Sequence, residues 1–128
     1  NGDWEDHARR YPSIFRLFTR RFLRLRKPDY IRPTDKTIKV DWCAGMFLGF
    51  NKFVYSSLGG FDEKYFMYCE DIDICRRLNK MKLSVVVQPK QYVTHFAQRK
   101  GRRSLLYLYY HISSLLIFWK KYYFQLRS

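Results

Sequence analysis

Apolar residues recur along this chain in two rhythms. Ile14, Phe15, Phe18, Phe22 and Leu25 follow the spacing of one helix face, with Arg16, Arg20, Arg21 and Arg24 between them. That pattern predicts a basic amphipathic helix running to about Lys27, after which Pro28 and Pro33 bracket an extended linker. From Thr37 to Trp42 polar and apolar residues alternate with the period of a strand. Asn51-Lys52 opens a short helix, and Gly59-Gly60 ends it by giving a turn its backbone freedom. Asp71 to Met81 reads as a second helix with Ile74 and Leu78 on one face. The β-branched run through Val85-Val86-Val87 predicts a buried strand from Leu83, stopped by Pro89, and Tyr92-Val93-Thr94 predicts another leading to His95.

A long aromatic helix begins at Ser104, a natural N-cap. It gathers Ser104, His111, Ser114 and Lys121 on one face and leaves the rest apolar. Leu105, Leu108, Ile112, Leu115 and Trp119 are expected to be core, with burial against anionic lipid as the other reading of the same residues. The longest uncharged stretch, Ser104 to Trp119, is shorter than the ~20 apolar residues a spanning helix needs. Helices alternating with strands predict an α/β chain divided in two: a basic helix and linker over 1–36, and an α/β unit with its terminal helix over 37–128.

Composition narrows the function classes. The 128 residues hold 25 Lys+Arg against 11 Asp+Glu, a formal charge of +14, with 47% hydrophobic and 20% aromatic residues. So much apolar matter excludes a disordered basic tail, and the charge calls for an anionic partner such as nucleic acid, the phosphates of a small molecule or an acidic membrane. Three cysteines, Cys43, Cys69 and Cys75, make a secreted disulfide framework a poor fit, and a reducing, cytoplasmic setting is expected. The chain starts at Asn1, which suggests a piece of a longer protein.

The residues with chemical potential lie in the middle. Asp62, Glu70, Asp71 and Asp73 fall within twelve residues, among Phe61, Tyr65, Phe66 and Tyr68, in a chain otherwise strongly basic. Packing carboxylates among aromatics raises the cost of ionising them unless donors or cations answer them, so the cluster could hold a metal or supply a general base. Acidic residues also serve simply to satisfy the free N–H groups of a helix start.

The order Val40-Asp41-Trp42-Cys43-Ala44-Gly45, Gly59-Gly60-Phe61-Asp62-Glu63, Glu70-Asp71-Ile72-Asp73 and a strand ending at His95 resembles the C-terminal half of a family 2 glycosyltransferase. The likeness is to the rhamnosyltransferase-like enzymes of bacterial surface-polysaccharide assembly and covers about residues 37 to 119. It implies the C-terminal portion of a GT-A type fold, inverting chemistry, a nucleotide-diphospho-sugar donor and a glycan or polyprenyl-linked acceptor. By the same resemblance Asp71 is the general base, and Glu70 orients the acceptor or the base. Asp41, Trp42, Gly45 and Asp62 shape the acceptor side, where the Trp42 indole offers either a flat face to a sugar ring or plain core. His95 would ligate a divalent cation, Mn²⁺ or Mg²⁺, and a basic loop of Arg99, Lys100, Arg102 and Arg103 would clamp the diphosphate. Asp73 is expected to brace its helix by pairing with Arg76. Asp71-Ile72-Asp73 spells Asp-x-Asp but is taken as the base motif, since the donor half with its own Asp-x-Asp would lie upstream. The 128 residues alone are therefore expected to be inactive.

Two rivals are open at this point. Basic residues interleaved with aromatics suit a nucleic-acid surface, although no RNP-like, KH-like or finger signature is present and no nucleic-acid partner is expected. A zinc site from Cys69, Cys75 and His95 matches no usual spacing. Contact with an anionic membrane is compatible with the transferase, as an enzyme peripheral to the inner face of the plasma membrane.

Overall fold

The computed structural model describes residues 7–11, 35–95 and 104–124. The predicted helix over 12–27, the linker prolines and the basic loop with Arg99, Lys100, Arg102 and Arg103 lie outside the described residues. Within them the order is β1 (Ala8–Arg9), β2 (Ile38–Val40), β3 (Trp42–Cys43), α1 (Lys52–Ser57), α2 (Glu70–Lys80), β4 (Val85–Val87), α3 (Leu105–Trp119) and a π-helical turn at Lys120–Phe124. Helices mixed with small sheets are compatible with the α/β class.

Two short antiparallel pairs form the sheet structure. β1 pairs with β3, Ala8 opposite Cys43, and β2 pairs with β4, Ile38 opposite Val87 and Val40 opposite Val85. The alternating run at 37–42 is thus broken at Asp41, where the chain leaves one pair and enters the other. Asp41 holds this corner: its carboxylate accepts the Tyr11 N–H at 3.0 Å, and its carbonyl accepts from Asn79. The strand β1 is an element the sequence pattern did not indicate, being two residues in a charged stretch. It buries Ala8 fully, ties residues 7–11 to the unit beyond residue 37, and so crosses the division expected at 36/37.

Two strand expectations are corrected. The run from Leu83 forms a strand only over Val85–Val87, and Val86 is exposed, because β4 has a partner on one side and solvent on one face. Tyr92-Val93-Thr94 forms no strand; both Tyr92 and Val93 are exposed, and among the described residues no neighbouring strand satisfies their backbone.

α1 starts where the sequence places it, with the Asn51 side chain accepting the N–H groups of Phe53 and Val54. It ends in Gly59 and Gly60, both left-handed at φ 70° and 73°, a conformation that costs an L side chain about 1–2 kcal/mol. A Cβ on Gly60 would also stand 3.2 Å from the Tyr55 hydroxyl. α2 runs Glu70–Lys80 with acids in its first turn and Arg77 and Lys80 in its last, an arrangement that complements the helix dipole. It buries Leu78, and packs Ile72, Ile74 and Cys75 against Trp42, Tyr65, Phe118 and Tyr122.

At the centre of this core lies a charge. Asp73 is wholly buried and answered by four groups: the hydroxyls of Tyr65 and Tyr122 at 3.2 and 2.8 Å, Arg77 Nε at 2.8 Å and Lys121 Nζ at 2.7 Å. The partner expected for Asp73 was Arg76; the structure supplies Arg77, one full turn away and directed at the same side of the helix. Arg76 instead lays its guanidinium over the rings of Tyr11, Tyr122 and Tyr123. The remaining nitrogens of Arg77 donate to the carbonyls of Leu58 and Gly60, both at 2.6 Å, so the Gly-Gly turn is clamped to α2 through Asp73.

α3 packs the other way round from the expectation. Its buried residues are Ser114 and Phe118; Ser114 donates to the Met67 carbonyl at 2.6 Å. Leu105, Leu108 and Ile112, expected to be core, are exposed, and Leu115 and Trp119 are half-buried. The physical reason is that the polar face carries the specific ties to the rest of the chain: Ser114 to Met67, Lys121 to Asp62 and Asp73, and His111 against the Tyr68 ring. Ser104 begins the helix without a side-chain cap bond.

Candidate functional site

Glu70 and Asp71 stand at the N-terminal turn of α2, and the backbone entering that turn is strained. Tyr68 and Cys69 are both left-handed, at φ 69° and 66°, costing about 1–2 kcal/mol each for non-glycine residues. Burial of Cys69 in the core and contact of Tyr68 with His111 hold them there. The consequence is a fixed launch point for the two carboxylates.

The Asp71 side chain reaches the loop after β3. Its Oδ2 accepts the Gly45 N–H at 2.9 Å, and its Oδ1 accepts the Ile72 N–H at 2.8 Å. The expected helix-start role of such an acid is therefore met by Asp71 in part, and the same bonds aim it. Burial raises its pKa above the usual carboxylate range, against the lowering influence of these two amides and of the Arg9 charge. Each oxygen keeps a second lone pair, so the carboxylate can still accept a proton. Glu70, beside it, is also pushed up, first by burial and then by the Asp71 charge; its Oε2 is buried without a hydrogen-bond partner. Two neighbouring acids with raised proton affinity form a candidate site for base chemistry.

Gly45 is the residue of the expected acceptor set that the structure brings to Asp71. A Cβ there would lie 3.7 Å from the Asp71 Cβ and Oδ2, in ordinary contact. Trp42 is in the core, 6% exposed; its indole donates to the Arg10 carbonyl at 2.8 Å, and the Arg9 guanidinium stands over its ring. In this structure it offers no open face to a sugar. Asp41 is occupied with the strand corner. Asp62 belongs to the other group, taking Lys121 Nζ at 2.7 Å and the Lys64 N–H, with its pKa lowered chiefly by the Lys121 bond. It lines an open cavity of about 310 Å³ with Leu58, Gly59, Gly60, Phe61, Arg77 and Lys121, to which neither Glu70 nor Asp71 contributes.

The charges of Arg9 and Arg77, and the bridge from Lys121 to Asp62 and Asp73, are features that the sequence pattern did not single out. Only the fold reveals them, because each acts on a residue far from it in sequence or inside a packed helix.

His95 lies on the exposed segment that follows β4. Among the described residues no three His, Cys, Asp or Glu side chains converge into a metal-binding group, so a cation here would need ligands from elsewhere. Burial pushes the Cys43 and Cys69 thiols up to about 12 and Cys75 to about 11, which keeps them protonated at neutral pH.

The chain is 45% identical over 65 residues to the rhamnosyltransferase WbbL of Escherichia coli K12, a match covering 49% of this chain and 24% of that protein. It is 36% identical over 93 residues to the N-acetylglucosaminyl-diphospho-decaprenol L-rhamnosyltransferase of Mycobacterium tuberculosis, covering 72% of this chain and 30% of that protein. Over these stretches the chain is similar to rhamnosyltransferases. It spans less than a third of the length of either relative. These relatives are enzymes and lend the nucleic-acid-binding alternative no support. No protein-family profile and no solved structure matches.

Proposed function

We propose that this chain is the acceptor-side part of an inverting, family 2 glycosyltransferase of GT-A type that transfers a sugar, rhamnose by the names of its relatives, in bacterial surface-polysaccharide synthesis. The donor is a nucleotide-diphospho-sugar and the acceptor a glycan carried on a polyprenyl diphosphate. The observation that carries the reading is the Asp71 carboxylate, raised in proton affinity by burial and aimed by the amides of Gly45 and Ile72. An acceptor hydroxyl within about 3 Å of it would lose its proton to Asp71 as its oxygen bonds to the anomeric carbon. The bond from that carbon to the diphosphate breaks, and the nucleoside diphosphate leaves with the electron pair.

Glu70 orients the acceptor or the base. A divalent cation, Mn²⁺ or Mg²⁺, enters this proposal through His95 as one donor, with its other ligands outside the described residues. Arg99, Lys100, Arg102 and Arg103 are proposed to hold the diphosphate. The setting is cytoplasmic, where nucleotide sugars are made.

In the complete enzyme, Asp71→Asn should lower kcat by about 10²–10⁴-fold and leave donor KM nearly unchanged, since it removes proton transfer and not donor contacts. A variant with near-normal kcat overturns the role of Asp71 and with it this reading.

A further inference from the structure

The stripe formed by Leu105, Leu108, Tyr109, Ile112 and Leu116 follows the spacing of one helix face, yet it points away from the protein. Leu105 is 84% exposed, Tyr109 65% and Leu116 58%. The opposite side of the same helix carries Ser114 and Phe118 into the core, followed in the π-helical turn by Tyr122. This is an amphipathic helix with its apolar side out, in contrast to the ordinary surface helix.

The charges nearby select the occupant. No acidic residue occurs between Ser104 and Phe124, and the exposed Lys120 stands one turn beyond Leu116. The whole chain carries +14, so a second copy would bring like charge to the same contact. An anionic surface offering apolar depth meets both requirements. Neither α3 nor any other helix among the described residues is long and apolar enough to cross a bilayer, so the fitting geometry is one lying in the interface, with Tyr109 at headgroup level.

We infer that α3 docks this protein on an anionic lipid surface through the Leu105–Leu116 stripe. The inference deepens the proposed function, because a polyprenyl-linked acceptor is held at such a surface, but it stands on the helix face and is tested without turnover.

The experiment is co-sedimentation of the full chain with vesicles of phosphatidylcholine alone and of an equal mixture with phosphatidylglycerol. Binding to the anionic vesicles is expected, and the combined substitution Leu105→Ser, Ile112→Ser, Leu116→Ser should weaken it by tenfold or more, on the order of the apolar burial removed. Lys120→Glu should weaken it severalfold, and added salt should do the same. All four positions are exposed, so circular dichroism should be unchanged. Absence of binding to both vesicle types overturns the inference, as does binding that survives the triple substitution. So does self-association that the triple substitution abolishes, which would make the stripe an interface between copies. In the complete polypeptide, Leu116→Cys shielded from a soluble maleimide without lipid would also overturn it, by showing that another protein segment covers the stripe. A loss of transfer in Asp71→Asn with vesicle binding intact, or the reverse, separates the two proposals.

Discussion

The Asp71 carboxylate and the Gly45 amide are joined by a 2.9 Å hydrogen bond across 26 residues of chain. The bond links the loop after β3 to the first turn of α2 and aims the acid, while opposing the rise in proton affinity that burial causes. Gly45 is not left-handed, and a Cβ there meets Asp71 only at 3.7 Å. Gly45→Ala should therefore fold normally and gain about 0.4–1 kcal/mol from the smaller entropy of the unfolded chain, read by urea denaturation. In the complete enzyme the added methyl shields the carboxylate further from water. The acid limb of the pH–kcat profile should move to higher pH, and an unmoved limb would show that Asp71 does not set it.

Asp73 is a different kind of acid. Fully buried and bound to Tyr65, Tyr122, Arg77 and Lys121, it joins α2 to the Gly-Gly turn and to the end of the terminal helix. Its burial is tolerable because every neighbour donates to it, while the Tyr65 and Tyr122 hydroxyls are pushed well above their ordinary pKa, by burial first and then by this carboxylate. Asp73→Ala should cost roughly 3–5 kcal/mol, because it strands the buried Tyr65 and Tyr122 hydroxyls and leaves the half-buried Arg77 without its carboxylate. Lys121→Met should cost less, roughly 1–2 kcal/mol, since Arg77 and two tyrosines still answer the carboxylate. Equal losses in the two variants, measured by denaturant unfolding, would refute this ordering.

Glu70 should report its burial through pH. Its folded pKa is raised above the ordinary 4.5, so between these two values the folded state holds more protons than the unfolded. Stability from this group is present below the ordinary value and lost as pH rises through the window to the raised one. Glu70→Gln removes the penalised charge and should stabilise the chain at neutral pH by about 0.5–1 kcal/mol. The gain should vanish below pH 4.5, where the native side chain is already protonated. Unfolding curves at neutral and acidic pH check both the sign and its disappearance.

Local signals placed α1 and α2 well. Asn51 caps, Gly59-Gly60 stops, and the apolar spacing of Ile74 and Leu78 marks a buried face; each works within one or two turns of its own residue. Strands were less legible. A run such as Val85-Val86-Val87 is equally apolar whether both faces or one is covered, and Tyr92-Val93-Thr94 has strand composition but no partner strand among the described residues. Of the candidate site, the position of Glu70-Asp71 at a helix start was legible from the local run of acids, while their proposed roles came from the family resemblance. The Gly45 contact, the Arg9 charge and the Lys121 bridge were not, since hydrogen bonds over tens of residues leave no periodic trace.

By itself, the sequence determined where α1 and α2 start and stop, and that two carboxylates stand at one helix entry, because capping, propensity and dipole are local forces. Tertiary structure alone decided where the clustered acids go: Asp71 turned to the Gly45 loop, Asp73 sank among tyrosines and cations, and Asp62 paired with Lys121. It also decided which face of α3 is buried. Hydrophobic periodicity identifies an apolar stripe, but the bonds of Ser114 and Lys121 to distant partners chose the side that faces in.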